Sequence, residues 1–198
     1  MEKKAKLNLI ISMFIFGTIG LFVRHIALPS SVIALVRGVV GTLFLLAVVC
    51  LRGQKLDWSA IRKNSLWLVL SGAFIGFNWI FLFEAYKYTT VSVATMSYYF
   101  APVIVTIVCP VLFKEKLTGK QVICFVMSTL GLVLITGIGD VGGGRDFVGI
   151  LFGLGAAVFY ATVILLNKFI KNVEGIHRTF LQFLAAIVTL APYVIVTS

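Results

Sequence analysis

The sequence predicts an all-α integral membrane protein with about seven transmembrane helices, each near the 20-residue spanning length. Three observations carry that expectation. Hydrophobic residues make up 60% of the chain and charged residues only 12%, where a soluble domain is about a quarter charged. The mean hydropathy is +1.08. Apolar runs of spanning length alternate with short, basic connections, at residues 7–27, 32–51, 66–86, 91–113, 118–138, 147–170 and 179–197.

The first run follows Met1-Glu2-Lys3-Lys4 as a signal peptide would, but it is longer than a signal core. Arg24-His25 stands where a small-residue cleavage site belongs, so it reads as a retained helix. The second run carries Arg37 about five residues in, roughly 8 Å at the helical rise. Between runs two and three, residues 57–63 read as a short interfacial helix capped by Asp57. Trp58 and Ile61 would face the membrane, and Arg62 and Lys63 the headgroups.

Run three opens with Trp67 at the interface and holds Gly72-x-x-x-Gly76, a small-residue face for close helix contact. Asn78 and Trp79 lie at mid-depth, and Glu84 near the far end. Run four has Ser92, Thr95, Ser97, Tyr98 and Tyr99 in its first half, then Pro102 and Pro110, and stops at Lys114-Glu115-Lys116. Pro102 removes a backbone donor and is expected to kink the helix and open space beside it. Thr118 and Gln121 have capping-box spacing and should start run five. A glycine-rich linker at 139–146 precedes run six, which repeats the small-residue face at Gly149 and Gly153.

Loop charge sets the expected orientation. With the N-terminus cytoplasmic, the inner flanks hold Lys3, Lys4, Lys6, Arg52, Lys55, Arg62, Lys63, Lys114, Lys116, Lys120, Lys168, Lys171 and Arg178. The outer flanks hold Arg24, Lys87 and Arg145. That is the positive-inside pattern. It also accounts for the net charge of +10 without nucleic acid, since the basic residues form no patch or binding motif. Five spans before the linker mean that a copy after it would start from the opposite side, as an inverted repeat requires. Residues 16–25 can be laid against 159–168, with few identities. The expected plan is therefore a five-helix repeat at 1–138, the linker at 139–146, and two helices of a second repeat at 147–198.

Other chemistries find little support. Gly137-x-Gly-x-x-Gly142 matches a dinucleotide fingerprint formally, but a membrane helix, not a strand, precedes it. No Asp lies within a span and His occurs only at segment ends, so the acid–base or nucleophilic pair of an intramembrane enzyme is not visible, and no enzyme is expected. Cys50, Cys109 and Cys124 have unrelated spacing, and His25 and His177 sit at segment ends. No metal or cofactor site is expected.

Two charges enter the spans. Arg37 and Glu84 both lie toward the outer surface, where they could pair with each other, snorkel, or handle solute or protons. Glu84 shares a helix face with Phe77, Phe81 and Tyr88 that could line a pore. Asn78, Trp79, Tyr98, Tyr99 and Pro102 are the candidates to line a cavity, while Asn167 and Lys168 read as interfacial.

The chain resembles the EamA family of the drug/metabolite transporter superfamily. The residues that carry the resemblance are Phe16-Gly17, Leu35-Val36-Arg37-Gly38, the stretch from Phe83 to Ala94, Phe100-Ala101-Pro102, Lys114-Glu115-Lys116-Leu117-Thr118, and Gly131-Leu132-Val133-Leu134. The resemblance implies ten helices in two inverted repeats around a central cavity, moving small metabolites, often amino acids or related compounds. This chain ends after its seventh apolar run, so it is expected to be a fragment or to assemble with a second copy or other chain. The four-helix branch of the superfamily uses a glutamate in its first helix, which run one lacks. The functional expectation is a multi-pass secondary transporter of the inner or plasma membrane, partnered by lipid and a small-molecule substrate. Its alternative is a non-transporting fragment or membrane-anchored partner.

Overall fold

The computed structural model describes residues 2–53, 57–113, 118–136 and 144–197, and these form nine helices and no strand. In order they are α1 (Glu2–Arg24), α2 (Ser30–Arg52), α3 (Trp58–Lys63), α4 (Ser65–Tyr88), α5 (Val91–Tyr98), α6 (Ala101–Phe113), α7 (Gly119–Thr136), α8 (Gly144–Asn167) and α9 (Gly175–Thr197).

Five described segments are long and apolar enough to cross a bilayer: α2, α4, α5 continued into α6, α8 and α9. The expected seven is therefore matched by five. α1 offers only a shorter apolar stretch, Lys6–Gly20, because lysines occupy its first turns. α7 spends its first turn on Lys120 and Gln121 and is 18 residues long. The Lys114–Lys116 stop, the glycine fingerprint at 137–142 and most of the 139–146 linker lie outside the described residues. The linker's last residues, Gly144 to Asp146, are not linker at all but the first turn of α8.

α4 is the hub. It touches α1, α2, α3, α5, α8 and α9, which suits a helix that is apolar all round, since only a surrounded helix can use every face. Its glycines decide how close the neighbours come. A Cβ on Gly72 would sit 2.5 Å from both the Ala185 Cβ and the Gln182 carbonyl oxygen, and one on Gly76 would meet Leu190. On α8, a Cβ at Gly149 would strike Thr89, and one at Gly153 would strike Ser97. Both small-residue faces are thus close contacts, the first onto α9 and the second onto the α4–α5 turn and α5.

The local punctuation matches the chemistry of its residues. Asp57 Oδ1 accepts hydrogen bonds from the backbone N–H groups of Ser59 (3.0 Å) and Ala60 (3.1 Å), starting α3. Trp58 is exposed, as an interfacial anchor should be. At α7 the capping box is complete. The Thr118 N–H donates to Gln121 Oε1 at 2.8 Å, and the Gln121 N–H donates to Thr118 Oγ1 at 3.4 Å. Run four breaks at Tyr99 and Phe100, so that Pro102 falls in the first turn of α6, where its missing N–H costs least.

The outward faces carry Phe14, Phe22, Phe44, Leu134 and Ile195, all strongly exposed. Side chains this large and apolar, spread around the bundle, need hydrocarbon around them.

Candidate functional site

α2, α4, α5, α8 and α9 enclose a cavity of about 310 Å³. Its apolar wall is built from Ile75, Leu82, Val163 and Phe183, and its polar groups come from all five helices: Arg37, Asn78, Tyr98, Tyr160, Asn167, Thr179 and Gln182. The volume falls at the small end of ligand sites, which run from about 300 to 1,000 Å³.

Six of these seven polar groups, all but Thr179, are placed by contacts with other side chains or a neighbouring helix. Trp79 is buried and lies between two partners. Its ring meets Phe183 edge-on at a centroid distance of 4.9 Å, and the Arg37 guanidinium carbon lies over it at 5.0 Å. The same carbon is 5.6 Å from the Phe83 ring centroid. Asn78, also buried, donates from Nδ2 to the Ala156 carbonyl of α8 at 2.7 Å. Tyr98 packs its ring 5.5 Å from that of Tyr160, which joins α5 to α8 across the cavity. At the end where α8 hands over to α9, Gln182 Nε2 donates to both Ser71 Oγ and Asn167 Oδ1, each at 2.7 Å.

The sequence candidates divide. Arg37, Asn78, Trp79 and Tyr98 line this one cavity. Tyr99 does not. It is 47% exposed in the break that follows α5, with its ring 5.9 Å from that of Tyr98. Pro102 lines a separate groove between α6 and α7 with Thr106, Gln121 and Cys124. The helix break it enforces separates α5 from α6 instead of widening the cavity.

Glu84 lies outside the cavity. It accepts from Ser30 Oγ at 2.6 Å and pairs with Lys87 Nζ at 3.2 Å, tying the start of α2 to the end of α4. Of the readings kept open for Arg37 and Glu84, their ion pair is not formed. The face that Glu84 shares with Phe77, Phe81 and Tyr88 is an aromatic seam and not a pore. Phe77 and Phe81 pack on Phe159, and Tyr88 stacks on Phe152, all onto α8.

Asn167, read as interfacial, belongs to the polar end of the cavity. Lys168 beside it donates to Cys109 Sγ at 2.7 Å and lies over the Phe113 ring, tying α8 to α6. Sequence reasoning missed Gln182, Thr179 and Tyr160. The available signal was Gln182 itself, an amide inside an otherwise apolar run, which must find a partner in a bilayer.

Residues 3–137 match the EamA-like transporter family. The chain belongs to that family. It is also 35% identical over 195 residues to the uncharacterized transporter YxxF of Bacillus subtilis, an alignment covering 98% of this chain and 63% of the relative. The chain thus spans a little under two thirds of the curated relative's length. No solved structure matches the chain. The family match ends before α8, so the cavity joins helices inside the matched region, α2, α4 and α5, to two that follow it.

Proposed function

We propose that this chain forms the solute pathway of a secondary transporter, with the cavity around Trp79 as the place where a small solute binds. The observation that carries the reading is the make-up of that cavity. One cation, two tyrosines and a set of side-chain amides are gathered at mid-bundle from five helices, where a bilayer tolerates polar groups only if they face protein or a wet space. Family membership supports it, as does the naming of the Bacillus subtilis relative as a transporter.

In the fuller reading, residues 1–138 act as one five-helix repeat and α8–α9 as the start of its inverted partner. Rocking of one against the other exposes the cavity to each side in turn. The N-terminus is cytoplasmic, following the loop charges, and the membrane is the inner or plasma membrane. The cavity performs binding and not catalysis.

The test is side-specific labelling. In a Cys50→Ser/Cys124→Ser background, Thr179→Cys places a thiol on the cavity wall. A membrane-impermeant maleimide should reach it from both faces of oriented vesicles, and from one face at a time when solute is bound. A thiol that reacts from only one face under every condition rules out alternating access.

A further inference from the structure

We infer that the cavity takes a solute with net negative charge, a small carboxylate with an apolar or aromatic body, in preference to a zwitterion or cation of the same shape. The inference rests on reading the cavity as a solute site and assigns Arg37 as the residue that recognises the anion.

Charge balance is the first support. Among the described residues Arg37 is the one charged side chain on the cavity wall. The acid nearest in role, Glu84, is committed to Ser30 and Lys87 at the end of α4. Asp57 and Glu174 line other pockets. A cation partly removed from water without a counter-charge is costly, and a carboxylate paired with it in good geometry offsets part of that cost.

Geometry is the second. The guanidinium lies over the faces of Trp79 and Phe83. Among the described residues Arg37 has no ion-pair partner and no hydrogen-bond acceptor. A guanidinium that rests over two rings and spends none of its N–H groups on the described residues keeps them for a planar oxyanion, the two-bond fork that lysine cannot make.

The rest of the wall discriminates against the alternatives. An ammonium group would need a carboxylate or a cluster of acceptors. What the far end supplies is a neutral amide pair, Gln182 and Asn167, already bonded to each other. The aromatic and aliphatic wall suits the body of the solute, as in other apolar pockets with few polar groups.

Calorimetric titration of the full chain in detergent with phenylacetate, phenylalanine and phenethylamine tests this, alongside counterflow of the same probes in proteoliposomes. Phenylacetate should bind about tenfold more tightly than the other two. Arg37→Gln should remove that advantage and leave the weaker two unchanged. Arg37→Lys should recover part of it, since charge is kept and the fork is lost. Monodisperse elution and helical circular dichroism establish that each variant is folded.

Phenylalanine or phenethylamine binding as tightly as phenylacetate overturns the inference. So does phenylacetate binding that survives Arg37→Gln, or a folded wild type that binds none of the three. The two readings separate cleanly. Phenethylamine counterflow as fast as that of phenylacetate, in wild type and Arg37→Gln alike, sinks the anion preference and keeps transport. Arg37-dependent phenylacetate binding without counterflow keeps the anion site and sinks transport.

Discussion

The Arg37 guanidinium carbon lies 5.0 Å from the centroid of the Trp79 ring, and among the described residues no carboxylate joins it. A cation on a bilayer-spanning helix usually answers to an acid on a neighbouring one. Here the neighbour answers with aromatic faces, a contact of about 0.5–2 kcal/mol depending on desolvation. The acid on the same neighbour, Glu84, serves Ser30 and Lys87 instead. The positive charge is thereby kept at the cavity wall.

Arg37 and Glu84 should therefore behave as energetically separate residues. A double-mutant cycle with Arg37→Gln and Glu84→Gln, read by unfolding in detergent, is expected to give a coupling below about 0.5 kcal/mol. The Ser30→Ala/Glu84→Ala cycle should give about 1 kcal/mol or more, since its hydrogen bond ends on a charged group. A coupling above about 1 kcal/mol between Arg37 and Glu84 would show an ion pair.

Gly72 lets α4 approach α9 closely. Even one added methyl would lie 2.5 Å from the Gln182 carbonyl oxygen, and backbone cannot move aside as a side-chain tip can. Gly72→Ala should lose about 1–3 kcal/mol of stability and lower the detergent melting temperature. Gly17→Ala meets nothing within 4 Å and should be neutral or slightly stabilising, as alanine is in an open helix position. Equal melting of the two variants would remove the close approach as the explanation for Gly72.

Asn64 clamps the α3–α4 junction to the α8–α9 connection. Its side chain donates to the Ala60 and Lys171 carbonyl oxygens at 2.8 and 2.9 Å and accepts from the Lys171 N–H at 3.2 Å. Beyond it, Asn172 holds a left-handed backbone with φ of 59°, which asparagine tolerates better than most residues. Asn64→Ala should speed amide exchange across residues 168–174 and cost about 1–2 kcal/mol, by loss of paired hydrogen bonds at a buried position. Exchange that rises only within α3 would show that the clamp does not hold the connection.

Much of this was legible in the sequence because it is local. The Asp57 cap, the Thr118–Gln121 box and the break before Pro102 depend on residues within a few positions of each other, and each formed as its chemistry requires. Asn78, Trp79 and Tyr98 were legible as polar or amphipathic groups that need partners in a bilayer. Their partners were not legible. Ala156, Phe183 and Tyr160 lie in helices 62 to 104 positions away, and nothing periodic in an all-round apolar helix says which face meets which neighbour. Arg37 illustrates the limit most plainly. Its presence in a span marked it as important, but depth alone suggested Glu84 as its partner, where side-chain packing chose Trp79 and Phe83.

The most direct measurement is solute exchange in proteoliposomes containing the wild-type chain or Thr179→Trp, across a panel of radiolabelled organic acids, amino acids and amines. Thr179 lines the cavity and sits in the first turns of α9, so an indole there fills the space with little demand on the core. Wild type should give saturable exchange of at least one probe. The filled variant, still folded and monodisperse, should lose about tenfold or more of that rate, as misplacement of a bound solute does in other sites. Wild-type rates in Thr179→Trp, or no saturable exchange of any probe by the wild-type chain, would contradict the assignment of this cavity as the solute pathway.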